Sequence, residues 1–356
     1  MRTFTIKKCL RFIRLLIGVA IAYVLIHMLI RSTGADVKAE IFKANRFLLT
    51  ISVLWFTGSI YFLVERLYIL LRIQDIHLSR WEVTKVSMSS YFLNIILPGA
   101  VSGDLIKMIY LFKKTEKKKA EALLTIFWDR VIGMVGLMVV ASFIIALYLP
   151  RITSLGSKYY YLQISVLTVG FGSFMGALIF FLLVFQSYRK NSFAGKLFEW
   201  GHRKIPKKIA SIVDRLTTAL NLFRKNSKVM FKTLSLSIFN HFWLSANLFL
   251  IGYCVGEHIM QFGDYILATQ FGNLIAVFPI TPGGIGLRDA SSALVFQAFG
   301  SQTAKAGTIP VIMTLIILFW RLVGGFFFII TNFSESKVNE GIIVNEREDY
   351  ARKLMQ

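Results

Sequence analysis

The sequence predicts an all-α, polytopic membrane protein with about six transmembrane helices plus two oppositely oriented re-entrant broken-helix segments. Three observations carry that reading. Apolar runs long enough to cross a bilayer recur along a chain that is 55% hydrophobic, with a mean hydropathy of +0.61. The basic residues gather on one side of those runs. Two glycine-proline breaks interrupt otherwise membrane-grade sequence.

The full spans are residues 13–30, 47–64, 122–149, 160–185, 234–255 and 310–331. Each has roughly the 17 to 25 residues that a crossing helix needs, or slightly more. The first is preceded by Lys7, Lys8, Arg11 and Arg14, which imitates a secretory signal. An uncleaved first span fits a chain that returns repeatedly to the membrane. With the N-terminus inside, 31 of the 41 lysines and arginines fall on inner segments and 7 on outer ones. The other three, Arg130, Arg288 and Arg321, lie in spans or breaks. This skew places both termini in the cytoplasm and the protein in the cell (inner) membrane.

That count holds only if the two interrupted stretches, 86–112 and 263–299, each enter and leave on one side. The first dips in from the cytoplasm and contains Pro98, Gly99, Gly103 and Asp104. The second dips in from outside and contains Pro279, Pro282, Gly283, Gly284, Gly286, Arg288 and Asp289. Broken helices in hydrocarbon survive only where protein or a water-filled cavity satisfies the freed backbone groups. Two such breaks in corresponding halves point to a substrate site. The order of residues is shared: Asn94 precedes the first break and Asn273 the second. The spacings differ by one or two positions.

Between spans, the basic loop 187–230 carries Ile209, Ile212, Val213, Leu216, Leu220 and Phe223 at helical spacing among lysines and arginines. Two readings fit: a helix lying on an anionic leaflet, or a surface helix whose charge enforces topology. Residues 336–356 read as a short cytoplasmic tail. The net charge of +22 does not indicate nucleic acid, because the charge sits in loops between apolar runs. Cys9 and Cys254 have no metal-ligand spacing, so no metal site or disulfide framework follows. No phosphate-binding Walker loop and no HExxH, CxxC or GxSxG motif occurs, so neither an ATP engine, a cofactor nor a catalytic residue is expected.

The residues placed to carry chemistry are Asp104, Lys107, Asp129, Arg130, Arg288, Asp289 and Arg321. Asp104 opens a short helix, where a carboxylate suits the helix dipole. It is either an N-cap or a functional charge in a re-entrant break. Lys107 shares its helix face and serves as counter-ion or phosphate contact. Asp129 and Arg130 are adjacent and so point apart, each needing its own partner. For Asp129 the structural reading is an interhelical ion pair; Arg130 has the bidentate fork that suits phosphate. A mid-span arginine such as Arg321 is expensive and should face a cavity or an acid, with Asp289 or Asp104 the candidates. Arg288 is read as meeting an anionic headgroup. Asn240 and His241, central in the fifth span, read first as interhelical hydrogen bonds and second as a proton relay. Glu65 and Arg66 end the second span and read as interface anchors.

The run Asn94, Leu97-Pro98, Gly103-Asp104 and Lys107, then Asp129-Arg130, then the element from Phe278-Pro279 through Pro282-Gly283-Gly284 to Gly286, then Arg321, resembles the flippase-like membrane domain of lysylphosphatidylglycerol synthases. The resemblance covers roughly residues 10–335, so residues 1–335 are assigned to that domain. Two departures shorten a side chain: Asp129 and Asp289 stand where the family usually has Glu. In two-domain members the resemblance implies movement of aminoacylated phosphatidylglycerol to the outer leaflet, after synthesis by a separate soluble domain. That soluble domain has no counterpart in this sequence, so a stand-alone member without synthase activity is expected. Stand-alone relatives are associated with other lipids, including polyprenyl-linked and hopanoid lipids.

The expected function is movement of a phospholipid or lipid-linked anionic substrate between leaflets. Membrane lipids are the expected partners, with a separate lipid-modifying enzyme as a further one. The rivals are a membrane enzyme or accessory subunit acting on a polyprenyl-phosphate-linked or aminoacylated lipid, an ion-coupled small-anion transporter, and a scaffold.

Overall fold

The computed structural model describes residues 37–96, 102–115, 118–186, 226–278, 281 and 284–331. The expected first span, most of the basic loop, the tail, and Pro98, Gly99, Pro279, Pro282 and Gly283 lie outside the described residues. Within them the protein is helical, with no strand: α1 (Val37–Lys43), α2 (Arg46–Ile73), α3 (Arg80–Ile96), α4 (Ser102–Lys114), α5 (Lys119–Leu147), α6 (Leu149–Thr153), α7 (Tyr160–Gln186), α8 (Ser227–Cys254), α9 (Phe262–Ile275), α10 (Leu287–Ala298) and α11 (Thr303–Ile330). Five of these, α2, α5, α7, α8 and α11, are long and apolar enough to cross a membrane.

Two boundaries differ from the sequence expectation for physical reasons. The second span runs to Ile73, nine residues past Val64. Its last turns are held by an apolar cluster of Leu67, Leu71, Ile76, Val83, Val86, Leu111 and Ile126. Glu65 and Arg66 are therefore buried, not interface anchors. In the last span, Pro310 lies inside α11 and does not begin it. The ring removes one backbone donor and leaves the Ala306 carbonyl without its usual partner.

The two interrupted stretches form helical hairpins, α3–α4 and α9–α10, rooted at opposite ends of the bundle. The first leaves from the end of α2 and returns to the start of α5. Its base is clasped by Lys114, 3.0 Å from Glu82, whose carboxylate holds that ammonium above its usual pKa range. The second leaves from the end of α8 and returns to the start of α11. Its base belongs to a separate core around Tyr265, Phe271, Phe296, Ile251 and Ile309. There Arg151 meets Asp264 at 2.7 Å.

Polar side chains zip α2 to α8. Ser52 donates to Asn247 and Ser59 to Asn240, each at 2.6 Å. Between these rungs Trp55 and Trp243 stack with centroids 4.1 Å apart, and each indole N–H donates to the other residue's carbonyl, at 3.2 and 2.8 Å. In an apolar solvent helices gain nothing from burying leucine, so such bonds and close packing select the partner. The same logic joins α11 to α3, where Gly324 lies against the Met88 carbonyl and a Cβ would collide with it.

Asn247→Ala should lower stability by about 1 kcal/mol, the usual size of an intramembrane hydrogen bond. Gly324→Val, which forces α11 off α3, should cost about 2–3 kcal/mol. Unfolding by denaturant in mixed micelles measures both.

Candidate functional site

The second arm of each hairpin begins with an acid at its third position: Asp104 in α4 and Asp289 in α10. Each acid is bonded to a residue 25 or 26 positions further on, in the long helix that follows. For Asp104 that residue is Arg130; for Asp289 it is Thr314. The two halves thus use the same device at opposite ends of the bundle.

Around the first break the side chains form a chain of alternating charge. Arg66 Nε donates to Asp129 Oδ1 at 2.7 Å, with both side chains almost fully buried. Lys107 lies 3.4 Å from Asp129 Oδ2 and 3.6 Å from Asp104 Oδ1. Arg130 binds the other oxygen of Asp104. Three cations face two carboxylates, which leaves one excess positive charge. Arg66 is further held by Ser237 of α8 at 3.4 Å. The hairpin itself is closed by Asn94, whose side-chain oxygen accepts the Gly103 N–H at 3.0 Å. Asp104 is thus an ion-pair member at the third helical position, not an N-cap. The ladder runs outward: Arg66 and Asp129 are buried, while the Arg130 side chain is 41% exposed.

Around the second break, Gly286 adopts a φ of +83°, which turns its N–H onto Asp289 Oδ2 at 3.0 Å. A side chain there would be strained. Asp289 Oδ1 also accepts from Thr314 at 2.7 Å and lies 3.2 Å from Arg288. Arg288 additionally reaches Thr314, so its guanidinium points into the protein and not toward a headgroup at the surface. The expected pairing of Arg321 with an acid is overturned. No carboxylate lies within ion-pair distance of it among the described residues, because Asp289 and Asp104 are already engaged. Arg321 is instead buried beside Tyr91 of the first hairpin, 5.4 Å from the ring centroid. Its Nε and Nη1 have no hydrogen-bond partner there.

A cavity of about 50 Å³ adjoins this second cluster, lined by Thr269, Asn273, Arg288, Asp289, Ser292 and Pro310, with apolar side chains closing the rest. Its size suits a few waters or one small ion.

Sequence reasoning therefore found six charges that the fold engages, and it missed three contributors. Arg66 was hidden by a span end set too early; the apolar pattern running on to Ile73 was the available signal. Tyr91 and Thr314 carry no charge, and nothing in their local sequence distinguishes them. Among the described residues no group of acids, histidines and cysteines could hold a metal ion.

A family model described as the lysylphosphatidylglycerol synthase TM region matches residues 12–325 of the chain. No curated protein matches the chain significantly.

Replacing one member of the Arg66–Asp129 pair strands the other charge in a buried site, so Arg66→Gln and Asp129→Asn should each cost about 3–5 kcal/mol. The double variant should lose clearly less than their sum. A double-mutant cycle on unfolding midpoints decides this.

Proposed function

We propose that this chain, which belongs to the lysylphosphatidylglycerol synthase transmembrane-region family, moves a phospholipid or lipid-linked anionic substrate between the leaflets of the cell membrane, without an ATPase of its own. The observation that carries the proposal is the surplus of positive charge placed inside an apolar bundle at two opposed hairpins. Charge in such a setting is costly, and it persists where a polar cargo must pass. In this reading the hairpins are re-entrant, open toward opposite faces, and the termini lie in the cytoplasm.

The chemistry follows from the donors. A phosphate entering from the side of the first break meets Arg130, the exposed end of the ladder. It can exchange with the Asp104 carboxylate for that guanidinium, since both offer paired oxygen acceptors. At the second break, Arg321 offers two N–H edges without a partner, and Arg288 lies nearby. Asp104 and Asp289, released in turn, would face a cationic or hydroxylated headgroup. The acyl or prenyl tails remain in lipid throughout. A separate enzyme that makes or consumes the lipid is the partner this reading implies.

One observation favours a second reading. The cavity beside Asp289 is far smaller than a lipid headgroup, as expected of an ion-coupled transporter of a small anion.

Leaflet exchange of headgroup-labelled lipids in proteoliposomes, followed with a membrane-impermeant quencher, tests the proposal. One lipid should become accessible faster than in empty vesicles. Arg321→Gln and Asp104→Asn, folded, should slow it about tenfold or more, the loss of at least one charge-assisted bond. Exchange equal to empty vesicles for every phospholipid and polyprenyl lipid, with anion flux present, would move the small-anion reading to first place.

A further inference from the structure

The two hairpins differ at one matched position. Asp104 and Asp289 are each the third residue of their arm, and at the sixth stand Lys107 and Ser292. Residues three apart share a helix face. In the first half the Lys107 ammonium occupies that face, 3.6 Å from Asp104 Oδ1 and 3.4 Å from Asp129 Oδ2 of α5. In the second half a short hydroxyl side chain stands there instead. The cavity of about 50 Å³ lies at that place, bordered by Asp289 and Ser292 of α10 and Pro310 of α11. A tethered ammonium in one half thus corresponds, in the other, to a space with room for one small ion.

The match extends to the first arms. Ser90 and Asn94 of α3 correspond to Thr269 and Asn273 of α9, each pair four residues apart and so on one face. Asn94 closes the first break on the Gly103 N–H. In the second break Asp289 takes the Gly286 N–H, and Asn273 borders the cavity.

The lining is rich in oxygen. Thr269 donates its hydroxyl hydrogen to the Tyr265 carbonyl at 2.7 Å, and Ser292 donates its own to the Ala268 carbonyl at 2.9 Å. A hydroxyl has one hydrogen, so both offer the cavity lone pairs only. The Asn273 amide oxygen and the Asp289 carboxylate add to them. Pro310 leaves the Ala306 carbonyl without its helical partner, one turn away on the same face of α11. Arg288 also borders the cavity, but its guanidinium is engaged by Asp289 and Thr314. Neutral oxygens around one carboxylate suit a hard cation, and a carboxylate already shared with an arginine supplies too little charge for a divalent one.

We propose that this cavity binds a small monovalent cation of the sodium kind, which takes in the second half the place of the Lys107 ammonium in the first. With the ion bound, it and Arg288 face Asp289, a surplus of one positive charge. The first cluster carries the same surplus, three cations against two carboxylates. The neighbouring arginine keeps the site weak, so the ion exchanges with the medium. Broken helices with freed carbonyls are where transporters hold a coupling ion. Cargo movement would then draw on a sodium gradient, whether the cargo is a lipid or a small anion.

Equilibrium binding of radioactive sodium to the full chain in nanodiscs, with choline holding ionic strength constant, tests this. No lipid exchange enters the assay, so its failure leaves the translocation reading standing. Binding should saturate at one ion per chain by about 100 mM, as for a dissociation constant of about 1 mM. Ser292→Ala and Thr269→Val each remove one oxygen and should weaken it about tenfold or more. Ser292→Lys restores the ammonium of the first half and should abolish it. Sodium should raise the unfolding midpoint of the unsubstituted chain and leave that of Ser292→Lys unchanged. Asn273→Asp keeps the side-chain size, adds a charge and should tighten binding about tenfold; it decides the location should the other variants not fold. Absence of saturable binding in the unsubstituted chain overturns the proposal, as does binding that the folded variants leave unaltered.

Discussion

The fold depends on one constraint: a charge inside an apolar bundle is costly unless it meets an opposite charge, and Arg321, beside Tyr91, meets none among the described residues. The Arg66–Asp129 pair is where that constraint is most severe. It joins α2 to α5 at a depth where neither side chain reaches water, and Lys107 and Ser237 bring in α4 and α8. Four helices are thereby fixed by a handful of polar atoms. Apolar packing could not fix them so narrowly, because lipid tails compete with leucine side chains on equal terms.

The same constraint shapes the hairpins. A helix that breaks between apolar segments leaves N–H groups free at the start of its continuation, and something must accept them. In the first hairpin Asn94 reaches across to the Gly103 N–H. In the second, Asp289 turns back to the Gly286 N–H. Each acid then recruits a partner from the next long helix. The hairpin tip is thus tied to a membrane-spanning wall and not merely lodged against it.

The two clusters differ in exposure and connectivity. The first is a continuous ladder that ends in a half-exposed arginine, Arg130. The second is compact, and beside it Arg321 keeps guanidinium edges unengaged. The polar face of α8 runs between them: Ser237 contacts Arg66 of the first cluster, and Ser245 accepts from Gln270, next to Thr269 at the cavity beside Asp289.

The amino-acid pattern alone determined the all-helical class, five of the spans, the two interruptions and the charges that sit in them, because hydrophobicity, charge and Gly/Pro breaks are local properties read residue by residue. It also placed Asp129 and Arg130 on separate partners, since adjacent helical residues diverge by geometry. What only the tertiary structure decided is who those partners are. Arg66 became a buried ion because helix α2 continues under an inner core that the span count did not see. Asp289 is engaged by Gly286, Arg288 and Thr314 and not by Arg321, because the packing of α10 against α11 sets Thr314 opposite it. Tyr91 became the neighbour of Arg321 only because α3 and α11 pack closely at Gly324. Pairings of this kind link residues as far apart as Tyr91 and Arg321, and they depend on helix rotation and depth, which one-dimensional pattern does not encode.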